Sequence, residues 1–212
     1  MSNVQKIGLF GGSFDPIHLG HVEIAQMAIK DIPLDTLVVM PAGKAPHKNG
    51  AFFSDELRLK MTQAAMADLN DDRINVSDWE IKQAQVNGKT SFTVDTMRYL
   101  KKKYPGAELY LILGTDMFNT LSTWKDPEII AANMKLVLVN RRGEKLYKPT
   151  RKKDSAYTNI YSPDVVISAE PLEVSSTEIR RRLAAGESVD GLVPDSALQV
   201  LKNASFDADL TK

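Results

Sequence analysis

Four short apolar runs, at residues 4–10, 36–40, 109–113 and 136–140, alternate along this 212-residue chain with stretches of helical periodicity at 22–31, 56–68, 93–104 and 128–132. The runs are β-branched or leucine-rich and bounded by turn residues, the pattern of strands covered on both faces. Strands alternating with helices imply right-handed crossovers and parallel pairing. The chain is therefore predicted to be α/β, a doubly wound parallel sheet, and in such sheets ligands gather at the carboxyl ends of the strands. Residues 11–21, 41–48 and 114–116 each follow a predicted strand directly and so fall where ligands bind.

Length suits one domain over residues 1–203, with 174–203 a C-terminal helical part and 204–212 a fraying tail. Lys plus Arg and Asp plus Glu both total 27, with a pI of about 6.8. That balance argues against a nucleic-acid or anionic-membrane partner and for a small ligand. The chain has no cysteine, so neither disulfides nor thiolate chemistry is open to it. Lys6 and Gly8 open a strand rather than a cleavable apolar core, and no apolar run reaches membrane-spanning length, so a cytoplasmic protein is expected. Ser54 reads as a helix N-cap, Ser175 with Glu178 has capping-box spacing, and Gly186 supplies the matching stop. Residues 141–162 mix Arg, Lys, Gly, Pro and Asp without period and read as a surface loop.

Residues 11–21 read Gly-Gly-Ser-Phe-Asp-Pro-Ile-His-Leu-Gly-His. Gly11 and Gly12 lack Cβ, so backbone N–H groups there can approach an anion closely. A helix beginning near residues 17–19 turns its unpaired N–H groups and positive dipole end toward the same spot. His18 and His21, three residues apart, place both imidazoles on one face of the first turn. Gly20 leaves that face open. No Gly-Lys-Ser/Thr ending is present, and Gly8, Gly11 and Gly12 do not make a Gly-x-Gly-x-x-Gly fingerprint. A zinc reading of His18 and His21 is disfavoured, with no cysteine and only one other histidine in the chain.

This segment resembles the signature of the nucleotidylyltransferase superfamily, Gly-x-Phe-Asp-Pro-x-His-x-Gly-His after the first strand, and the match at residues 12–21 is complete. A second signature of that superfamily, Ile-Ser-Ser-Thr-x-Ile-Arg, is similar to residues 174–180, with Val174 as the single departure. On the residues alone, Ser175 to Thr177 with Arg180 and Arg181 could be an ordinary cap and basic turn or a second anion cradle. The resemblance implies that this segment holds the β- and γ-phosphates of a nucleoside triphosphate, with Ser176, Thr177 and Arg180 among its contacts, on a Rossmann-like nucleotidylyltransferase fold.

Three further segments are similar to the branch of the superfamily that joins nicotinate mononucleotide to ATP. In residues 41–48, Lys44, His47 and Lys48 follow the second strand; the residues themselves leave open a phosphate loop or an exposed loop with incidental lysines. The branch carries Pro-Pro-His-Lys or a similar run here, Ala45 replacing its first proline, and Lys48 is the implied phosphate contact. Residues 88–96 begin a helix with Thr90 or Ser91 as its cap, similar to the branch's Thr-Ser-Tyr-Thr stretch through Thr93, with Phe92 for tyrosine. Gly114, Asp116 and Trp124 match its Gly-x-Asp…Trp pattern, implying ribose hydroxyls on the carboxylate and a pyridine ring on the indole. Lys125 stands where an aromatic residue is usual, and Arg141–Arg142 stand where the family has an Arg-Pro-Gly turn.

The resemblance implies adenylyl transfer from ATP to nicotinate mononucleotide, giving nicotinate adenine dinucleotide and pyrophosphate, a step of NAD biosynthesis. ATP would be bound by Gly11, Gly12, Ser13, Phe14, His18, Gly20, His21, Gly114, Asp116, Ser176, Thr177 and Arg180. The mononucleotide would be bound by Ser13, Lys48, Thr90, Ser91, Thr93, Trp124, Lys125 and Arg141. Such a reaction needs alignment and charge stabilisation rather than a protein nucleophile. His18, His21, Lys48 and Arg180 are the candidates for surrounding the triphosphate, with Mg²⁺ bridging the leaving group and no protein metal cage. Competing readings are adenylyl transfer to nicotinamide mononucleotide or phosphopantetheine, and a non-catalytic nucleotide sensor on the same fold. Homo-oligomerisation is left open.

Overall fold

The computed structural model describes residues 4–45, 50–141, 161–170 and 174–206. The elements run β1 (Lys6–Gly12), α1 (Leu19–Asp31), β2 (Thr36–Pro41), α2 (Asp55–Ala67), β3 (Ile74–Val76), α3 (Trp79–Asn87), α4 (Thr93–Lys103) and β4 (Glu108–Gly114). They continue with α5 (Thr115–Thr120), a 3-10 turn at Leu121–Thr123, α6 (Pro127–Asn133), β5 (Lys135–Arg141), β6 (Val165–Ala169), α7 (Ser176–Ala184) and α8 (Asp195–Phe206).

The strands form one sheet in the order β3-β2-β1-β4-β5-β6, and every pairing is parallel. This is the doubly wound order in which strand succession reverses between β1 and β4, the place where such sheets bind ligands. Pairing geometry makes the crevice concrete. The β1–β4 ladder stops at Leu9 and Leu111, whereas β1 stays paired with β2 through Gly12 and β4 with β5 through Gly114. The sheet therefore splits at its carboxyl end between Gly11–Gly12 and Gly114.

Alternation along the strands builds two cores. Phe10, Leu37, Val39, Tyr110, Ile112, Val137 and Val139 face one side with α1, α2 and α8. Ile7, Leu9, Val38, Met40, Leu109, Leu111, Leu113, Leu136 and Leu138 face the other, against Val94, Met97 and Leu100 of α4, Phe118, Leu121 and Ile130. Period-2 alternation with both faces apolar is why these runs read as continuously hydrophobic. A Cβ on Gly8 would lie 2.7–3.0 Å from the Cδ1 ends of Leu34, Leu37 and Ile112, so a side chain there would make those ends shift.

All four predicted strands and all four helical patterns are present, and α1 begins at Leu19, within the expected start near residues 17–19 and ahead of the periodic stretch at 22–31. The structure adds β3, α3 and β6. The strand β3 has three residues, α3 buries only Glu80 and Ile81, and the apolar run of the edge strand β6 is three residues long, Val165 to Ile167, with Val166 exposed, so each signal is weak. Helix α8 continues to Phe206 and buries Ala204, past the boundary placed at residue 203. Of the expected 141–162 loop, Arg141 closes β5, and residues 142–160 lie outside those described.

Candidate active site

At the end of β1, a Cβ on Gly12 would meet the Phe14 ring at 2.8 Å, so the missing methyl is the room that ring occupies. Phe14 adopts φ 43°, a left-handed conformation rare for an aromatic residue and a mark of local strain at a functional turn. Its buried ring packs edge-on against Phe10, centroids 5.4 Å apart, and against His21 at 5.0 Å. His18 is the N-cap residue of α1 and is buried, 6 % exposed. The His18 and His21 rings stack with centroids 3.6 Å apart and planes 22° from parallel, as their spacing predicts. The backbone N–H of His18 donates to Nδ1 of His21 at 3.2 Å, which selects the neutral tautomer bearing its proton on Nε2. Gly20 lies buried between them in the helix.

The second signature docks directly onto this turn. Ser175 caps α7, its Oγ accepting from the N–H of Glu178 at 3.2 Å. Ser176 Oγ donates to the Pro16 carbonyl at 2.9 Å, and Arg180 Nη1 donates to the Asp15 carbonyl at 2.6 Å. Arg180 Nη2 donates to Thr177 Oγ1 at 3.1 Å. Asp15 is the hub: its buried carboxylate accepts from the N–H groups of Phe52 and Phe53 at 2.9 and 3.0 Å and lies 3.8 Å from Arg180 Nη1. Segments at opposite ends of the chain thus meet within hydrogen-bonding distance, at residues 15 and 16 just ahead of His18 in the chain.

Across the crevice, a Cβ built on Gly114 would come no closer than 3.9 Å to any atom, and one on Gly11 no closer than 3.9 Å. A side chain at either position would make only ordinary van der Waals contact, with the Met40 carbonyl at Gly11 and with Ile24 at Gly114. Asp116 is exposed on the first turn of α5, and Thr115 Oγ1 donates to Asn140 Oδ1 at 3.2 Å, tying the ends of β4 and β5 together. Ser13 lines a pocket of about 450 Å³ with Gly43, Lys44, Asp55 and Arg58. Lys48 and the side chain of Arg141 lie outside the described residues.

The expectation that Thr90 or Ser91 caps α4 is corrected. Phe92 is the N-cap residue and no side chain caps the helix. Both residues are instead engaged with the loop after β2: Lys44 and Thr90 form a parallel bridge, Ser91 N–H donates to the Lys44 carbonyl at 2.8 Å, and Gly43 N–H donates to Ser91 Oγ at 3.1 Å. The sequence gives no sign of this, because the competing partner lies 48 residues away. Thr93 opens α4, and Phe92 and half-buried Trp124 pack against the same core. The Lys125 ammonium sits 4.6 Å over the Phe92 ring and 3.5 Å from Asp95 Oδ2.

Sequence reasoning missed three buried ionisable residues at the site: Asp15, Arg58 and Glu80. Arg58 is 1 % exposed; Nη1 donates to the Ser13 carbonyl at 2.5 Å, and Nη2 to the Ala42 carbonyl at 2.7 Å and to Asp55 Oδ1 at 2.6 Å. Glu80 accepts from Thr96 Oγ1 at 2.5 Å. Burial pushes its carboxyl above the usual range, partly offset by Thr96, Ser91 and the Arg58 charge. A signal did exist: Arg58 stands in the apolar stripe of α2 among Leu57, Met61 and Ala65, where a charge needs a buried partner.

The parallel order, the split between β1 and β4, and two signature segments joined at that split define a Rossmann-like nucleotidylyltransferase. Residues 9–182 match the Cytidylyltransferase-like family. The chain is 36 % identical over 206 residues to the "Probable nicotinate-nucleotide adenylyltransferase" of Neisseria gonorrhoeae, covering 96 % of this chain and 100 % of that protein. It is 32 % identical over 200 residues to the protein of the same name from Clostridium tetani, covering 94 % and 97 %. The chain belongs to the cytidylyltransferase-like nucleotidyltransferases and, among them, to the nicotinate-nucleotide adenylyltransferase family. Its fold is also that of the Plasmodium falciparum nicotinic acid mononucleotide adenylyltransferase solved with NaAD, with a TM-score of 0.68 at 19 % identity over 96 % of this chain and 98 % of that one. The same enzyme solved with APC superposes with a TM-score of 0.65 at 18 % identity, over the same shares of the two chains.

Proposed function

We propose that this protein transfers the adenylyl group of ATP to nicotinate mononucleotide, releasing pyrophosphate and forming nicotinate adenine dinucleotide, in the cytoplasm. One observation carries the reading: Ser176 and Arg180 of the second signature grip the carbonyls of Pro16 and Asp15 in the first, just ahead of the stacked His18–His21 pair in the chain. That arrangement concentrates donors and positive charge around one point at the carboxyl end of β1. The triphosphate lies there, its α-phosphorus facing the mononucleotide phosphate, which attacks in line as the pyrophosphate leaves. His18, His21 and Arg180, with Lys48, bear the developing charge, and no side chain need form a covalent bond. Adenosine lies along Gly11, Phe14, Gly114 and Asp116, and the pyridine end near Thr90, Thr93, Trp124 and Lys125.

Mg²⁺ is proposed to arrive on the triphosphate. Among the described residues no group of three or more His, Asp or Glu side chains could hold a metal, and the Asp15 carboxylate is already taken by two backbone N–H groups. The ion would neutralise the leaving pyrophosphate. Preference for the acid over the amide is proposed to come from N–H donors near the pyridine substituent, which favour a carboxylate over an NH₂ group. The deciding assay is pyrophosphate release from ATP with nicotinate mononucleotide, nicotinamide mononucleotide and phosphopantetheine in parallel. Turnover highest with the nicotinate compound is expected. Turnover only with phosphopantetheine would overturn the acceptor, and none with any of the three would leave a nucleotide sensor.

A further inference from the structure

Two buried charged side chains bear on one loop: Arg58 of α2 holds the loop after β2 directly, and Glu80 of α3 reaches it through Ser91 at the start of α4. Arg58, through its two terminal nitrogens, holds the Ala42 carbonyl and the Ser13 carbonyl at once, so the loops leaving β1 and β2 are pinned to one guanidinium. The next residue, Gly43, is pressed onto α3: a Cβ there would lie 2.3 Å from the Glu80 carbonyl oxygen and 2.7 Å from Ala84 Cβ, so any side chain would lift the loop. Gly43 N–H donates to Ser91 Oγ, Ser91 N–H donates to the Lys44 carbonyl, and Ser91 together with Thr96 faces the Glu80 carboxyl. The α4 start is thereby fastened to the same loop. The pocket of about 450 Å³ beside Ser13 is lined by Gly43, Lys44, Asp55 and Arg58.

Burying two charges is costly unless each is held by several partners, and both are. We infer that Arg58 and Glu80 are positioning residues that fix residues 42–45 against Ser13 and Ser91, and so set the affinity for the acceptor mononucleotide while leaving ATP binding unaffected. This rests on the proposed adenylyl transfer. The logic is spatial: the pair bonds Ala42, Ser91 and Thr96 and the main chain of Ser13, a residue expected in both substrate sets, and none of these hydrogen bonds reaches Arg180, Thr177, Gly114 or Asp116. A loop displaced by an ångström loses alignment of the phosphate it holds without altering the groups that hold the other substrate.

Initial-rate kinetics on Arg58→Met, Glu80→Gln and Gly43→Ala, each checked for folding by thermal melting, test the inference. The glutamine keeps an acceptor for Thr96 while removing the charge, and the alanine removes no charge but forces the loop off α3. Each variant is expected to raise KM for nicotinate mononucleotide by about 10-fold or more, while KM for ATP stays within about 2-fold of wild type. Should Arg58→Met fail to fold, the other two decide. Folded variants in which both KM values rise together, or neither moves, would overturn the inference, since a merely structural role lowers the active fraction without separating the substrates. Wild-type protein inactive with every pyridine mononucleotide would instead sink the adenylyl-transfer reading, and the inference with it.

Discussion

His21 is held in place by stacking on His18, by the edge of Phe14 and by the backbone N–H that its Nδ1 accepts, so its ring is oriented before any ligand arrives. Pre-set donors act mainly on charge that develops as the leaving group departs. His21→Ala is therefore expected to lower kcat by roughly two to three orders of magnitude while KM for ATP changes far less. Steady-state pyrophosphate release measures both, and a kcat near wild type would remove His21 from the catalytic group. The histidine pairing was legible in the sequence because a three-residue spacing on a helix is a local fact. The partners of Arg58 and Glu80 at residues 13, 42, 91 and 96 were not, because they come from other elements.

Helix α7 carries the second signature, and its first turn depends on two devices, the Ser175 cap and the charge of Glu178. Hydrogen bonds from Arg181, and then from Arg182, hold the Glu178 carboxyl well below its ordinary value, at about 2. A carboxyl depressed in the folded state stabilises it at every pH above the unfolded value near 4.5, and that contribution fades as pH falls from there toward about 2. Thermal melts of wild type and Glu178→Gln should differ most near pH 6 and converge as the solution is acidified through that window. A gap that stays constant would show that the ion pairs contribute nothing, the common outcome for exposed pairs. The Ser175 cap was readable from its spacing to Glu178. The Phe92 cap was not, because Ser91 had two available partners and tertiary contact with Gly43 decided between them.

At the scale of the whole molecule, α8 packs along α2, burying Leu198 and Leu201 in the same core as Leu57, Met61 and Ala65. The C-terminal helices are thus tied to the first half of the chain, and residues 1–203 are proposed to fold as one unit. Leu198→Ala is expected to cost about 2–5 kcal/mol, in line with other large-to-small core replacements. Urea titration followed by circular dichroism and by tryptophan fluorescence should give one coincident transition; separate transitions would mark an independent C-terminal part. By itself the amino-acid order determined the parallel α/β class, the four central strands and the places of the two signature segments, because hydrophobic period, glycine and helix-start chemistry act over a few neighbouring residues. Only the tertiary structure decided the edge strands, the splitting of the sheet between β1 and β4, and the meeting of Arg180 with Asp15. Each of those depends on groups far apart along the chain whose burial, charge and hydrogen bonds are satisfied by one another alone.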